Sequence, residues 1–151
     1  KSLEGFDSHF FAHMEEIDLC WRAYNKGMTV TYVGLSTVYH VGGASLKSSN
    51  PKKTYLNFRN SLYTLVKNTS QPLLLVVLLR LILDGIAGVR FLLQAKPKHM
   101  IAIIKAHGSF YRALPYLLQF RKEDSIRKPY SQVPSIVWSY FVRNKIHFNK
   151  L

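Results

Sequence analysis

The sequence has few acidic residues and almost no cysteine. Its 151 residues include 8 acidic and 21 basic ones, which gives a formal net charge of +13 at pH 7. The single cysteine, Cys20, cannot form an intrachain disulfide, so the fold requires no oxidising compartment. A hydrophobic share of 48% argues against a disordered protein. No basic and apolar leader follows Lys1, so we expect no signal peptide. Because the first residue is Lys and not Met, we expect a fragment of a longer protein.

The few acids are concentrated at the start of the chain. Residues 1–18 contain five of the eight acids and a single base, Lys1, so the other 133 residues contain 20 bases and three acids. A small acidic segment is therefore followed by a long cationic and apolar one. This asymmetry points to an anionic partner, either nucleic acid or an anionic membrane surface.

The first half of the chain combines helical and strand-like patterns. Residues 14–26 place apolar side chains on one helical face. Residues 29–33 and 36–41 are rich in β-branched and aromatic residues, which predicts two short strands joined by a turn. A polar loop at 44–53 precedes a second amphipathic helix, predicted at 54–67.

A long apolar segment at residues 73–93 is nearly the length of a membrane span. Its 15 large apolar residues contribute about −5 to −9 kcal/mol to insertion, and its three charges cost about +7 to +10 kcal/mol. Arg80, Asp84 and Arg90 fall within one arc of the helix, which favours a helix lying in an interface. A third helix, predicted at 98–120, carries a basic stripe with a seven-residue period.

One dense group of carboxylates lies at the start of the first predicted helix. Glu15 and Asp18 share a face, whereas Glu16 projects about 100° away from Glu15 and can point into a cleft. A carboxylate raised in pKa by like-charged neighbours can act as a general base. Spacing alone favours the structural alternative, in which these acids stabilise the helix N-terminus and Asp18 pairs with Arg22. By itself His40, which ends the second predicted strand, is also interpreted as structural, since no ligand partner lies nearby.

Four blocks in this order resemble a known family. They are EGFDSHFF at 4–11, EEIDLCWR at 15–22, VYHVGG at 38–43 and a segment ending in Arg-Asn at 55–60. The chain resembles the C-terminal part of bacterial family 2 glycosyltransferases of the rhamnosyltransferase-like kind, which build surface polysaccharides of the cell envelope. The resemblance covers residues 2–68 well, and the apolar, basic region to about residue 121 resembles the family's C-terminal extension.

The resemblance implies a Rossmann-like fold, a nucleotide-sugar donor, a divalent metal such as Mg²⁺ or Mn²⁺, and inversion at the anomeric carbon. It implies Glu16 as the general base, where the family usually has Asp, with Asp18 second and Glu15 third. It also implies that His40 binds the metal or the diphosphate and that Arg59 binds phosphate oxygens. The chain has no Asp-x-Asp, so we expect the nucleotide-binding half to lie outside it and this fragment alone to be inactive.

These inferences predict an α/β fragment, the C-terminal half of a Rossmann-like domain, at residues 1–68, and a mainly α-helical, membrane-associating extension at 69–151. The leading hypothesis is an inverting glycosyltransferase on the cytoplasmic face of the cell membrane, peripheral or partly inserted, that acts on a saccharide or lipid-linked acceptor. The alternative is a non-catalytic, basic amphipathic membrane-binding module. Nucleic-acid binding ranks last, because no nucleic-acid motif appears.

Overall fold

The computed structural model describes residues 3–39, 49–123, 127–129, 139–140 and 142–145. Across these ranges the regular structure is helical. A short 3₁₀ helix at Ser8–Phe10 precedes four α-helices, which are α1 (Glu15–Asn25), α2 (Pro51–Asn68), α3 (Leu73–Leu93) and α4 (Pro97–Glu123).

The helix starts follow from local sequence signals. Asn50 caps α2, because its side-chain oxygen accepts a hydrogen bond from the Lys52 amide at 2.9 Å. Pro51 occupies the first turn, where the missing amide hydrogen costs nothing. These two residues start α2 three positions before the predicted residue 54. Helix α3 has the same bounds as the apolar segment described at residues 73–93, and it follows Pro72.

The core lies mainly between α2 and α4. Leu62 and Val66 lie one turn apart on α2 and are fully buried. They form one cluster with Phe110 and Leu117 of α4 and with Phe10 from the segment before α1. Residues from both sides of position 68 therefore share one hydrophobic core. The predicted division into two units at that position stays a prediction.

Helices α3 and α4 form a close hairpin. Gly88 is buried, and a Cβ atom at this position would lie 2.5 Å from the sulfur of Met100, so an alanine here would force the Met100 side chain or the helices to shift. Asp84, which is 2% exposed, accepts hydrogen bonds from Arg80 at 2.6 Å and His107 at 3.1 Å. Arg80 and Asp84, four residues apart on α3, thus form an ion pair that neutralises this buried acid.

The other side of α3 has no partner in the described part of the chain. Its large apolar side chains are 47–84% exposed. We call this surface the apolar face of α3; it comprises Leu74, Leu75, Leu78, Leu79, Ile82, Leu83, Ile86, Val89, Leu92 and Leu93. A contiguous exposed patch of this kind marks an interaction surface in soluble proteins. Among the described residues no helix is both long and apolar enough to cross a membrane.

The predicted α/β fold is wrong for the residues that the structure describes. These residues form helices and no β-strand, so the Rossmann-like half expected at residues 1–68 is absent there. Residues 28–39 are irregular and exposed, with Tyr32 at 90% and Leu35 at 97%, and the second predicted strand continues beyond the described residues at 40–41. Strand propensity depends on packing against neighbours. A single pair of short strands is marginal without a third strand or a covering helix.

Candidate active site around helix α1

The segment before α1 forms a strained loop that leads into the acid cluster. Phe11, His13 and Met14 have φ angles of 65°, 68° and 72°. Non-glycine residues rarely adopt positive φ, and each instance costs about 1–3 kcal/mol. Such a loop persists only where surrounding contacts hold it.

Asn60 of α2 supplies the main contacts to this loop. Its side chain is fully buried, and its Nδ2 donates to the carbonyl oxygens of Phe10, Ala12 and His13 at 3.0, 2.8 and 2.8 Å. An amide carries only two hydrogens, so three acceptors share them. The amide therefore fixes the strained turn directly ahead of α1.

Arg59 holds the same loop from the neighbouring position. Its Nη2 donates to the carbonyls of His9 and Phe10, both at 3.0 Å. Its Nε donates to the Asn60 side-chain oxygen at 2.9 Å, and its Nη1 donates to the Tyr55 hydroxyl at 3.4 Å. The structure thus gives this guanidinium a loop-positioning task. Phosphate binding by Arg59 stays a prediction.

Asp18 lies at the centre of a buried ion network. Its Oδ2 accepts hydrogen bonds from Arg22 Nε at 2.8 Å and Lys67 Nζ at 3.0 Å, and its Oδ1 accepts one from Asn68 Nδ2 at 2.8 Å. Lys67 also donates to Asp7 Oδ2 at 2.7 Å. The Asp18 and Lys67 side chains are 0% exposed, and the two carboxylates balance the two cations. This is the Asp18–Arg22 pairing of the structural alternative, extended by Lys67 and Asp7.

Asp7 links the network to α4. Burial acts to raise the pKa of Asp7, but the hydrogen bond and charge of Lys67, with hydrogen bonds from His9, hold it well below its usual range. The Tyr116 hydroxyl donates to Asp7 Oδ2 at 3.0 Å. Burial, together with the Asp7 charge, raises the pKa of Tyr116 above its usual range. Asp7 is therefore ionised at neutral pH and joins the segment before α1 to both α2 and α4.

The three carboxylates of the acid cluster have different surroundings. Asp18 is fully buried and paired, whereas Glu16 is exposed, and its carboxylate has no hydrogen-bond or ion-pair partner in the part of the chain that the structure describes. Glu15 is half-buried, and its Oε2 is buried without a described hydrogen-bond partner. Of the three predicted catalytic residues, Glu16 is thus the most exposed. Its role as a base stays a prediction.

The predicted metal ligand, His40, lies outside the described residues. Within the described ranges, no three or more His, Cys, Asp or Glu side chains group together to hold a metal ion. The divalent-metal prediction therefore remains untested.

Residue types and spacing do not identify the residues that organise this site. Sequence analysis assigned Lys67 no role beyond the end of the helix predicted at 54–67, and Asn60 entered only as half of the Arg-Asn pair. The available signal is the α2 pattern itself, because Lys67 lies four residues after Tyr63 of the core cluster and therefore on the same face. Comparisons with protein families, characterised proteins and solved structures find no match for this chain.

Proposed function

We propose that this chain is part of an inverting glycosyltransferase in which Glu16 is the general base. The observation that carries the proposal is that the carboxylates of the acid cluster have different surroundings. Asp18 is committed to Arg22, Lys67 and Asn68, and Glu16 is exposed beside a loop held in a strained shape. Strained backbone that surrounding contacts maintain is a recurrent feature of active sites. The ordered blocks that resemble family 2 glycosyltransferases supply the reaction class.

In the proposed step the Glu16 carboxylate takes the proton of an acceptor hydroxyl. The acceptor oxygen forms a bond to the anomeric carbon of the donor sugar from the face opposite the leaving group. The bond from that carbon to the nucleoside diphosphate breaks, and the diphosphate leaves with the electron pair. The sugar is transferred with inversion, and the diphosphate departs as an anion.

The donor is a nucleotide sugar under this proposal, and residues outside this chain bind its nucleotide. A divalent metal supplies charge stabilisation to the leaving diphosphate when bound, and His40 is the ligand that the resemblance implies. Asn60 and Arg59 act on the loop before α1 and so position Glu16. The acceptor is a saccharide or a lipid-linked saccharide.

We also propose that the enzyme works on the cytoplasmic, anionic surface of the cell membrane. The apolar face of α3 provides a surface that can enter the headgroup boundary. Arg90 and Lys96 near the end of α3 are exposed, and Asp84, the acid of the hairpin, is buried and paired. Each cation near an anionic leaflet adds about 1 kcal/mol of attraction. The exposed apolar face of α3 and the exposed cations near its end therefore both favour an anionic membrane surface as the partner.

Glu16→Gln in the full gene product that contains this chain tests the catalytic proposal. The assay measures transfer of radiolabelled sugar from a panel of nucleotide sugars to a membrane lipid extract. We expect transfer to fall by about 10²–10⁴-fold, the usual contribution of a general base. The exposed Glu4 provides the matched control, because Glu4→Gln makes the same charge change and should leave transfer unchanged.

The non-catalytic membrane module is the second candidate, and the exposed apolar face of α3 favours it. Vesicle sedimentation in parallel with the transfer assay separates the two functions. Loss of transfer with unchanged vesicle binding in Glu16→Gln supports the enzyme. Full transfer by Glu16→Gln eliminates this residue as the base. Vesicle binding by a gene product that transfers no sugar from any donor supports the module.

A further inference from the structure

A cavity lined by three lysines lies between the start of α2 and the first half of α4. Its volume is about 410 Å³. The lining is mostly apolar between the lysines and includes Lys52, Lys98, Lys105, Tyr55, Ile101 and Ala102.

No described carboxylate neutralises the lysines at this cavity, and the Lys52 ammonium lies 4.9 Å from the centre of the Phe11 ring. Lys52 comes from α2, whereas Lys98 and Lys105 lie two turns apart on α4, and all three are exposed. None of them pairs with a carboxylate in the described ranges, and the cavity lining contains no acid. Three like charges facing one concave surface repel one another and raise the local concentration of anions. An anionic ligand would relieve that repulsion.

Neighbouring groups add to the positive field. The N-terminal end of the α2 dipole lies at Lys52, within the first turn. Burial acts to raise the pKa of Tyr55, but hydrogen bonding to Ser109 and the nearby guanidinium of Arg59 bring it below its usual range. The Arg59 guanidinium, which lies 5.2 Å from the centre of the Tyr55 ring, thus adds positive charge beside the cavity wall.

We propose that this cavity binds the phosphate group of an anionic ligand, which reaches it as a lipid headgroup or as a free phosphate compound. Lysine ammonium groups bind phosphate as point charges from several directions. The apolar part of the lining suits carbon next to the phosphate, since Ile101 is 50% exposed. Phosphate binding at this cavity is a separate property from the proposed sugar transfer and does not depend on it.

Two binding measurements on the same set of variants distinguish the sources. Calorimetric titration with inorganic pyrophosphate probes a free phosphate compound. Sedimentation with phosphatidylcholine vesicles that contain a minor share of phosphatidic acid probes a lipid headgroup. Lys98→Gln and Lys105→Gln should each weaken binding about tenfold in at least one arm, the usual effect of losing a hydrogen bond to a charged group.

Lys26→Gln is the matched control, because Lys26 is exposed, lies outside the cavity lining and loses the same charge. Its effect should stay below about twofold, since it makes no direct phosphate contact. Pyrophosphate binding that weakens in Lys98→Gln and Lys105→Gln identifies a free phosphate ligand, and weakening in the vesicle arm alone identifies a lipid. Absence of binding in both arms, or an equal loss in Lys26→Gln and Lys98→Gln, overturns the proposal. Circular dichroism confirms that each variant is folded.

Discussion

Lys67→Met is the sharpest perturbation of the buried ion network. The Lys67 ammonium lies 2.7 Å from Asp7 Oδ2 and 3.0 Å from Asp18 Oδ2, and its side chain is 0% exposed. Methionine keeps the length of the side chain and removes the charge, so both carboxylates lose a partner. Removing one member of a buried ion pair costs about 3–5 kcal/mol. That is a large part of the stability of a domain, which is about 5–15 kcal/mol.

The assay is urea denaturation at several pH values, followed by circular dichroism. In the wild-type chain the lowered pKa of Asp7 stabilises the fold above its ordinary value of 3.8, and this contribution is lost as pH falls further. In Lys67→Met the ammonium is missing and burial still acts. The pKa of Asp7 should therefore be higher than in the wild-type chain. The variant therefore recovers stability as Asp7 is protonated, and its difference from wild type should narrow between about pH 7 and pH 4.

Lys96→Met provides the control for this experiment, because Lys96 is exposed and outside the network. Its unfolding free energy should change by less than about 0.5 kcal/mol. A loss below about 1 kcal/mol in Lys67→Met, or a difference from wild type that does not depend on pH, would refute the buried network as the element that joins α1 to α2.

Three further changes test other parts of the account. Asn60→Ala removes the amide that holds the strained loop and should lower the unfolding free energy by about 2–4 kcal/mol in urea denaturation; a loss near zero would contradict the role of that amide. Gly88→Ala should lower the unfolding free energy by about 1–3 kcal/mol through overpacking against Met100, and the same change made in a Met100→Ala background should cost less if this contact is the cause. Leu83→Glu together with Ile86→Glu should abolish sedimentation with anionic vesicles without lowering the thermal midpoint, and retained sedimentation would exclude the apolar face of α3 as the membrane contact.

Helix positions could be read from the sequence because their signals are local. The apolar segment at 73–93 is α3 with the same bounds, and the face pattern at 14–26 is α1 within one residue at each end. The start of α2 was misplaced because Asn50 and Pro51, a capping residue and a first-turn proline, were assigned to the preceding loop. Capping signals fix a boundary more closely than apolar spacing does.

The absence of a strand at residues 29–33 and the presence of the ion network could not be predicted, because both depend on contacts that are distant in sequence. The β-branched residues at 29–33 indicate strand only when a neighbouring strand is available. Lys67 and Asp18 are 49 residues apart, and only the packing of α2 against α1 brings their side chains to 3.0 Å. Glu16 is ranked above Asp18 as the general base only because of the resemblance to family 2 glycosyltransferases. The structure adds that Asp18 is buried and paired, whereas Glu16 is exposed.

The most direct test of the account compares Glu16→Gln with Asp18→Asn in the full gene product, measuring sugar transfer and urea unfolding on both. Glu16→Gln should lose transfer by about 10²–10⁴-fold at unchanged stability. Asp18→Asn should lose about 3–5 kcal/mol of stability, since Arg22 and Lys67 are left without their shared carboxylate. Full transfer by Glu16→Gln, or an Asp18→Asn variant as stable as wild type, would contradict the division of roles between these two carboxylates.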